Sequence, residues 1–318
     1  MKLIRSSLRS FIPGPVLRYR QLLARKRLAA QKGLGLVERD LFFDLTRGNT
    51  VLRISRDHEV YLQHMIENFD YYVNSVVSLH VQKAQLVDMS GPRYHKLRGF
   101  ADIPFLFPSH TEPYSTTAEY LDFAQLKQGQ TVLDIGAYAG LTSIIFAQLV
   151  GPTGRVYAFE ADESNYECAQ VNIEMASRVM NLNNITLLRK AVWCRSGELR
   201  FSNEGAMGSS AVDITGENRG NEQMVQATSL EDFFTEKGLT RADFIKIDIE
   251  GCEVKVLESS AGFLKGTGAK LIVEPHFVYG AMSTERCSRL LESAGFKVRV
   301  RGKVGESEPL IEATPRCI

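Results

Sequence analysis

Four segments of the sequence end a run of apolar residues with ionisable side chains that could bind polar ligands. Their sequences are TVLDIGAYAG (131–140), RVYAFE (155–160), ADFIKIDIEGCE (242–253) and KLIVEPH (270–276). A short apolar run followed by a polar residue is typical of a buried parallel β-strand, whose carboxyl end opens on the ligand crevice of an α/β sheet. The sequence therefore predicts one crevice lined by the ends of four strands.

The first segment has the composition of a ligand-binding turn between a strand and a helix. Gly136 permits a tight turn, and Ala137 is small enough for the backbone to approach a ligand closely. A carboxylate at Asp134 would repel a pyrophosphate, but it could accept hydrogen bonds from an ammonium group or from a bridging water. S-adenosylmethionine carries an ammonium and a sulfonium, so the turn favours this cofactor over NAD. The predicted cofactor-binding residues here are Asp134, Gly136, Ala137, Tyr138 and Gly140.

The second segment ends in Glu160, 24 residues after Gly136. A carboxylate at the end of the second strand can accept hydrogen bonds from both hydroxyls of a ribose, as it does in dinucleotide-binding folds. The alternative is a solvent-facing Glu without a ligand. Because Glu160 follows the glycine-containing segment at the expected distance, we predict that it binds the ribose of the cofactor.

The third and fourth segments supply the candidate catalytic residues. Asp248 and Glu250 alternate with buried isoleucines, and His276 follows the next strand. Asp248 is also predicted to contact the cofactor, and Lys246 could form a structural ion pair with one of the acids. Any of the three candidates could remove the proton from a hydroxyl acceptor, and imidazole has a suitable pKa. The two carboxylates could hold Mg²⁺, but no sequence feature requires it, so we predict no metal.

These segments resemble the FkbM family of methyltransferases. The matching text is Asp134-Ile-Gly-Ala with Gly140, Phe159-Glu160, Asn172, TSLED (228–232), FIKIDIEGCE (244–253), and Ile272-Val-Glu274 with His276. The likeness covers roughly residues 131–294, and KIDIEG (246–251) is its most specific part. It implies a Rossmann-like fold, S-adenosylmethionine as cofactor, and O-methylation of a hydroxyl on a sugar, polyketide or related small molecule. Ala161 stands where the family often has Pro, which affects only the geometry of the turn.

The elements around these segments predict an α/β fold. From Gln130 onwards apolar runs alternate with helical patterns, and the last two runs, 297–300 and 309–313, have no helix between them. We therefore predict a Rossmann-like class I methyltransferase sheet, mostly parallel, with an antiparallel hairpin at its edge. The preceding region is expected to form an α+β cap, with a helix over 57–79 and a hairpin over 85–107 that turns at Gly91-Pro92. The predicted division is a basic segment at 1–33, a cap or substrate region at 34–126, and a methyltransferase domain at 127–318.

Charge is unevenly distributed along the chain. Of the 38 basic side chains nine lie between Lys2 and Lys32, where no acidic residue occurs; the other 29 face 37 acidic ones, a net charge of −8. The basic segment could be a solvated helix pair, an organelle presequence, or a weak peripheral contact with anionic lipid. The acidic body does not favour a nucleic-acid partner, so the expected partner is a small-molecule or glycan hydroxyl acceptor. Five scattered cysteines fit reduced thiols in the cytoplasm.

Two other functions are compatible with parts of this pattern. An NAD-linked oxidoreductase would need the second and third glycines of a Gly-x-Gly-x-x-Gly turn, where this chain has Tyr138 and Leu141. A non-catalytic scaffold protein could keep the fold and dock on membranes through its basic segment. The presence of Asp134, Glu160 and Asp248 argues against loss of the cofactor.

Overall fold

The computed structural model describes residues 14–81, 84–101, 103–112, 114–203, 208–211, 221–278, 280–302 and 309–316. Residues 1–13 of the predicted basic segment lie outside this part of the chain. Packing groups the described residues into two compact units that meet in sequence between Pro104 and Phe105. The three-part division predicted from the sequence stays a prediction. Within the described part, no helix is both long and apolar enough to cross a lipid bilayer.

The first unit contains a mixed five-stranded sheet in the order β1-β2-β3-β5-β4. Its elements are α1 (Gly14–Gln31), β1 (Gly35–Glu38), β2 (Phe42–Arg47), β3 (Thr50–Ser55), a 3₁₀ helix (Arg56–Tyr61), α2 (Leu62–Glu67), α3 (Phe69–Ser75), β4 (Leu79–Val81), β5 (Ala84–Met89) and β6 (Arg93–Lys96). Helix α1 accommodates Pro15 in its first turn, where a missing N–H costs nothing. Ala29 of α1 is fully buried, and Arg25 forms an ion pair with Glu59.

Two predictions for this unit are wrong. The single helix expected over 57–79 is a 3₁₀ turn followed by two short helices, because His58 and Asn68 leave helical geometry. The side chain of Ser55 caps this 3₁₀ turn by accepting a hydrogen bond from the backbone N–H of Asp57. Within the described residues, the strand before Gly91-Pro92 does not form the expected hairpin: β5 pairs in parallel with β3 and antiparallel with β4. Strand alternation alone gives no information about which strands pair.

The second unit is built on a seven-stranded sheet in the order β10-β9-β8-β15-β16-β20-β19. Its strands are β7 (Pro104–Phe107, which begins at the unit boundary), β8 (Thr131–Ile135), β9 (Arg155–Phe159), β10 (Ile185–Leu188), β11 (Ala191–Val192), β12 (Gly197–Asn203), β13 (Ser210–Ala211), β14 (Asn221–Thr228), β15 (Phe244–Ile247), β16 (Lys270–Val273), β17 (Phe277–Val278), β18 (Ala281–Met282), β19 (Phe296–Arg301) and β20 (Leu310–Pro315). Its helices are α4 (Tyr114–Ala124), α5 (Leu141–Val150), α6 (Glu163–Met180), α7 (Leu230–Lys237), α8 (Glu253–Thr267) and α9 (Thr284–Ser293).

The topology of this sheet confirms the predicted fold. Strands β8, β9, β10, β15 and β16 are parallel, whereas β20 runs antiparallel to β16 and pairs with β19 as the edge hairpin. All four residues of the central strand β15 are buried, because helices cover both faces of the sheet. The carboxyl ends of β8, β9, β15 and β16 therefore lie side by side at one edge of the sheet.

One layer of the second unit has no counterpart in the prediction. Strands β11 to β14 form a separate four-stranded sheet in the order β11-β14-β12-β13. The run expected as one strand over 185–192 is divided: β10 continues the main sheet beside β9, whereas β11 pairs with β14. The alternation of exposed Glu198 and Arg200 with buried Leu199 and Phe201 is the period-two signal that could have revealed β12.

Candidate functional site

The turn between β8 and α5, residues 136–140, is called the glycine turn below. Gly136, Tyr138 and Gly140 all have positive φ angles, of 87°, 49° and 83°. A Cβ atom added at Gly136 would lie 1.7 Å from the carbonyl oxygen of Asp248. Only glycine allows this approach, which brings the end of β8 against the loop that follows β15. The glycine turn therefore has the backbone geometry that the sequence predicts.

Glu160, directly after β9, holds the glycine turn from the side. One carboxylate oxygen accepts a hydrogen bond from the backbone N–H of Tyr138, and the other accepts one from Asp162, both at 2.8 Å. Burial raises the pKa of Glu160 to about 8. Each carboxylate oxygen can accept a second hydrogen bond, so Glu160 keeps acceptor capacity for a ligand such as a ribose.

Asp134 lies beneath the glycine turn and has no exposed surface. It accepts a hydrogen bond of 2.5 Å from the Ser143 hydroxyl, and Lys246 Nζ lies 3.4 Å from its other oxygen. Burial raises its pKa, although Lys246 and Ser143 act in the opposite direction. A carboxylate without exposed surface acts on a ligand only through its neighbours. This placement favours a positioning role for Asp134 over the direct contact with an ammonium that the sequence suggests.

Lys246 connects the first strand end to the third. Its ammonium donates a hydrogen bond of 2.7 Å to the carbonyl oxygen of Gly136 and lies 3.1 Å from Oδ2 of Asp248. Burial works to lower the pKa of Lys246, but Asp248 and Asp134 outweigh it and raise the pKa above its ordinary value. The structural ion pair considered for Lys246 is therefore present, and it is shared between two acids.

Asp248, Glu250 and His276 come together as the predicted catalytic residues, and they are called the carboxylate–histidine cluster below. His276 Nε2 lies 3.6 Å from Oδ1 of Asp248 and 3.4 Å from Oε1 of Glu250. The three side chains are partly exposed, at 26%, 28% and 13% respectively. One ligand atom from each lies within 4.8 Å of the others, close enough to share a metal ion.

Glu253, at the start of α8, fixes the orientation of His276. Its Oε1 lies 2.8 Å from His276 Nδ1 and also accepts hydrogen bonds from the backbone N–H groups of Ile249 and Gly251. Burial works to lower the pKa of His276, but Glu250 and Glu253 outweigh it and raise the pKa well above the ordinary imidazole value. Glu253 was part of the KIDIEGCE text, but nothing in the sequence distinguished it from an ordinary helix N-terminal acid.

Two further side chains of the site were missed in the sequence. Glu112 is buried and accepts a hydrogen bond of 3.2 Å from Thr142; burial raises its pKa to about 7. Tyr120 of α4 donates a hydrogen bond of 2.6 Å to Glu274, and its ring centroid lies 5.7 Å from Lys246 Nζ. Both belong to a segment that was assigned to the cap region. No local motif marks them, because their partners lie far away in the sequence.

Asn172, in the middle of α6, completes the support of the glycine turn. Its side-chain amide donates hydrogen bonds of 2.8 Å to the carbonyl oxygens of Ala139 and Leu106, and its oxygen accepts one from the Leu106 N–H. The buried amide of Asn172 thus forms hydrogen bonds both with the glycine turn and with β7. Asn172 is a positioning residue for the glycine turn.

The charges of the site favour a cationic ligand. The described acids around Lys246 and His276 are Glu112, Asp134, Asp248, Glu250, Glu253 and Glu274. Lys246 and His276 are the basic groups among them. Since buried carboxylates are costly without compensating charge, a ligand with positive charge would be bound more favourably here than an anion.

Comparison with known proteins identifies the same region of the chain. Residues 134–298, just over half of the chain, match the family described as "Methyltransferase FkbM domain". Among curated proteins, the protein-L-isoaspartate O-methyltransferase of Methanosarcina mazei is 30% identical over 100 residues, which are 30% of this chain and 39% of that protein. The corresponding enzyme of Methanothrix thermoacetophila is 38% identical over 64 residues, 20% of this chain and 30% of that protein. The chain thus spans two fifths or less of these relatives.

Solved structures align with the chain at low identity. The methyltransferase FkbM from Methylobacillus flagellatus KT aligns with a TM-score of 0.46 and 14% identity, covering 92% of this chain and 59% of that one. The O-methyltransferase TomG from Streptomyces achromogenes, involved in tomaymycin synthesis and solved in complex with SAM, aligns with a TM-score of 0.41 and 15% identity. That alignment covers 64% of this chain and 81% of TomG.

Proposed function

The chain belongs to the FkbM methyltransferase family, and we propose that it transfers a methyl group from S-adenosylmethionine to a hydroxyl on a sugar, glycan or natural-product acceptor. The observation that carries this proposal is the contact between the glycine turn and the loop after β15, where the Gly136 Cα faces the carbonyl oxygen of Asp248. This contact puts a backbone cradle for a cofactor beside the carboxylate–histidine cluster.

The residues around the glycine turn fit S-adenosylmethionine. Gly136 allows the close approach of the Asp248 backbone that shapes the turn, and Glu160 retains acceptor capacity for ribose hydroxyls. The excess of carboxylates matches the positive charge of the sulfonium and ammonium groups. We therefore assign cofactor binding to Gly136, Ala137, Tyr138, Gly140 and Glu160, with support from Asp134 and Asn172 and a further contact from Asp248.

When bound, S-adenosylmethionine would supply an electrophilic methyl group on sulfur, and in-line attack by the acceptor oxygen on this carbon would release S-adenosylhomocysteine. The protein has to align the acceptor oxygen, exclude water and receive one proton. As the new O–C bond forms and the S–C bond breaks, the hydroxyl proton passes to the carboxylate–histidine cluster and then to solvent. Partial exposure of Asp248, Glu250 and His276 fits this role, because an acceptor can reach them from solution.

The test is transfer of a labelled methyl group from S-adenosylmethionine to a panel of sugars, glycans and hydroxylated natural products. Full-length protein should methylate a hydroxyl in at least one class, and Asp248→Asn should reduce transfer by about 10²-fold or more. Glu258→Gln is the matched control, because the Glu258 carboxylate on the same loop–helix segment pairs with Lys255 and Arg286 instead. Methylation of nitrogen or carbon alone would contradict the O-methyltransferase assignment.

The proposed setting is the cytoplasm, with a small-molecule or glycan acceptor and no nucleic-acid partner. Helix α1 presents Arg20, Lys26 and Arg27 as exposed cations, whereas Arg18 and Arg25 pair with acids of the same unit. Exposed cations on one helix would support a weak, salt-sensitive contact with an anionic membrane surface. Vesicle co-sedimentation at low and high salt tests this contact, and binding that persists at high salt would contradict its electrostatic origin.

A further inference from the structure

We propose that the carboxylate–histidine cluster is a divalent-cation site of the Mg²⁺ or Mn²⁺ class, and that its ion binds the oxygen of the acceptor hydroxyl. The proposal rests on the proposed function for the identity of the acceptor. The ion site itself rests on the positions of Asp248, Glu250 and His276. No sequence feature requires a metal, since His276 lies 26 residues beyond Glu250, and only the fold brings the imidazole to the two acids.

The geometry of the cluster suits one ion. Around an octahedral Mg²⁺ or Mn²⁺ with bonds of about 2.1 Å, neighbouring ligand atoms lie about 3 Å apart. His276 Nε2 is 3.6 Å from the facing oxygen of Asp248 and 3.4 Å from that of Glu250. Shifts of a few tenths of an ångström would bring each oxygen to this spacing from Nε2, and the ligand atoms of all three residues lie within 4.8 Å of one another. Three protein ligands leave positions for water and for an acceptor oxygen.

Buried Glu253 provides a second, independent indication. It has no exposed surface, and one oxygen binds His276 Nδ1, which turns Nε2 toward Asp248 and Glu250. Within the described residues, the other oxygen, Oε2, is buried without a hydrogen-bond partner. A buried carboxylate on the far nitrogen of a ligating imidazole is the arrangement that commonly orients histidine at metal centres. An ordinary surface cluster of acids would not require this costly support.

The neighbouring cation Lys246 contacts the cluster through Asp248. Lys246 already binds the carbonyl oxygen of Gly136 and Asp134, and it meets Asp248 through Oδ2. Oδ1 of Asp248 and Oε1 of Glu250 face His276 Nε2, at 3.6 Å and 3.4 Å. Two carboxylate oxygens with one imidazole nitrogen form a mixed, mostly hard ligand set that suits Mn²⁺ and Mg²⁺ better than soft ions. An ion here would polarise a bound hydroxyl and favour its deprotonation.

The experiment uses full-length protein stripped of metal with a chelator, and Mn²⁺ as the probe. Electron paramagnetic resonance should show one tightly held Mn²⁺ per chain, with nitrogen modulation from a coordinated imidazole. His276→Ala should remove the nitrogen signal, and Glu250→Gln should weaken Mn²⁺ binding at least tenfold. Glu253→Gln, which changes only the support of the imidazole, should weaken it about 10- to 100-fold. Glu258→Gln should bind Mn²⁺ within twofold of wild type.

Folding is checked separately, because a variant could lose Mn²⁺ by unfolding. Each variant should keep its melting temperature and its affinity for S-adenosylhomocysteine, which does not use Glu250. The proposal is overturned if wild type holds no Mn²⁺ at millimolar concentration, or if binding lacks the nitrogen signal. Methyl transfer that is unaffected by chelation would also overturn it while leaving the O-methyltransferase function intact. Specific Mn²⁺ binding without methylation of any hydroxyl would support the ion site and count against the proposed function.

Discussion

The glycine turn and the carboxylate–histidine cluster lie next to each other, but different properties of the chain determine them. The glycine turn is set by backbone conformation: positive φ angles at Gly136 and Gly140, and an approach that excludes a Cβ. The cluster is set by side chains that are partly exposed and converge from two strand ends. Small residues and strict geometry thus form the proposed cofactor side, whereas charge and hydrogen bonding form the proposed acceptor side.

The largest effect on cofactor binding should come from adding a methyl side chain at Gly136. Gly136→Ala puts a Cβ 1.7 Å from a carbonyl oxygen, so the turn has to move, and we expect S-adenosylhomocysteine binding to be lost in calorimetry. Gly268→Ala is the matched control, because Gly268 has a similar φ of 81° with open space around it. It should cost only about 1–2 kcal/mol of stability for the left-handed conformation and leave binding intact. Equal effects of both variants would contradict a contact-based explanation.

The next effect separates chemistry from binding. His276→Ala should lower single-turnover methyl transfer by about 10²–10⁴-fold, the range for lost acid–base assistance, because the carboxylates of Asp248 and Glu250 lose the imidazole that lies against them. Its affinity for S-adenosylhomocysteine should stay near that of wild type, because the imidazole contacts the cluster rather than the glycine turn. Rate and affinity are measured on the same preparation. A normal rate would remove His276 from the chemistry, and a parallel loss of affinity would show that the two sides are not separable.

A smaller effect concerns pH and tests the burial of Glu160. Its folded pKa is raised from 4.5 to about 8, so between these values the unfolded chain loses a proton that the folded protein keeps. This contribution stabilises the fold at low pH and disappears as pH rises toward 8, with a limiting slope of about 1.4 kcal/mol per pH unit. The free energy of unfolding, measured with urea at several pH values, should fall less steeply with rising pH in Glu160→Gln than in wild type. Gln at this position also changes the hydrogen bonds, but this change shifts the free energy of unfolding by the same amount at every pH.

The control for this titration is Glu163→Gln, since the exposed carboxylate of Glu163 pairs with Arg189 at the surface. Its pH profile should match that of wild type. If Glu160→Gln also matches wild type, the carboxyl of Glu160 does not keep its proton on folding, and the account of its burial is wrong.

The smallest predicted effect is a gain of stability on the acceptor side. Glu250 has a φ of 51°, a conformation that favours glycine, so Glu250→Gly should stabilise the protein by up to about 1 kcal/mol while methyl transfer falls. Gln125→Gly, at a φ of 50° outside the site, should give a similar gain without loss of transfer. Thermal unfolding and transfer rates measure the two quantities. A loss of stability in Glu250→Gly would mean that the carboxylate contributes more to the fold than its backbone conformation costs.

The two sides also differ in how far the sequence predicts them. The glycine turn is local, so TVLDIGAYAG alone indicates a strand, a tight turn and a helix, and the structure agrees. Asp248, Glu250 and His276 were identified because each follows a recognisable strand. Glu112, Tyr120 and the supporting role of Glu253 were not, because their contacts depend on packing between segments distant in sequence.

Errors in the predicted elements have the same origin. The edge hairpin β19–β20 was predicted because two apolar runs follow each other without a helix. The pairing of β5 with β3 and β4, and the division of residues 185–192 between two sheets, depend on non-local partners that alternation does not specify. The buried position of Asp134 was likewise not evident, because the sequence shows a carboxylate at a strand end but not the serine and lysine that enclose it.

The most direct test of the central claim is calorimetry of full-length protein with S-adenosylhomocysteine and with NADH. We predict one S-adenosylhomocysteine per chain and no binding of NADH. Above pH 8, where Glu160 is ionised, Glu160→Ala should lose about 1.5–3 kcal/mol in binding free energy, the range for a hydrogen bond to a charged group. Binding of NADH in place of S-adenosylhomocysteine would contradict the methyltransferase account. Undiminished affinity in Glu160→Ala would remove Glu160 from the ribose role.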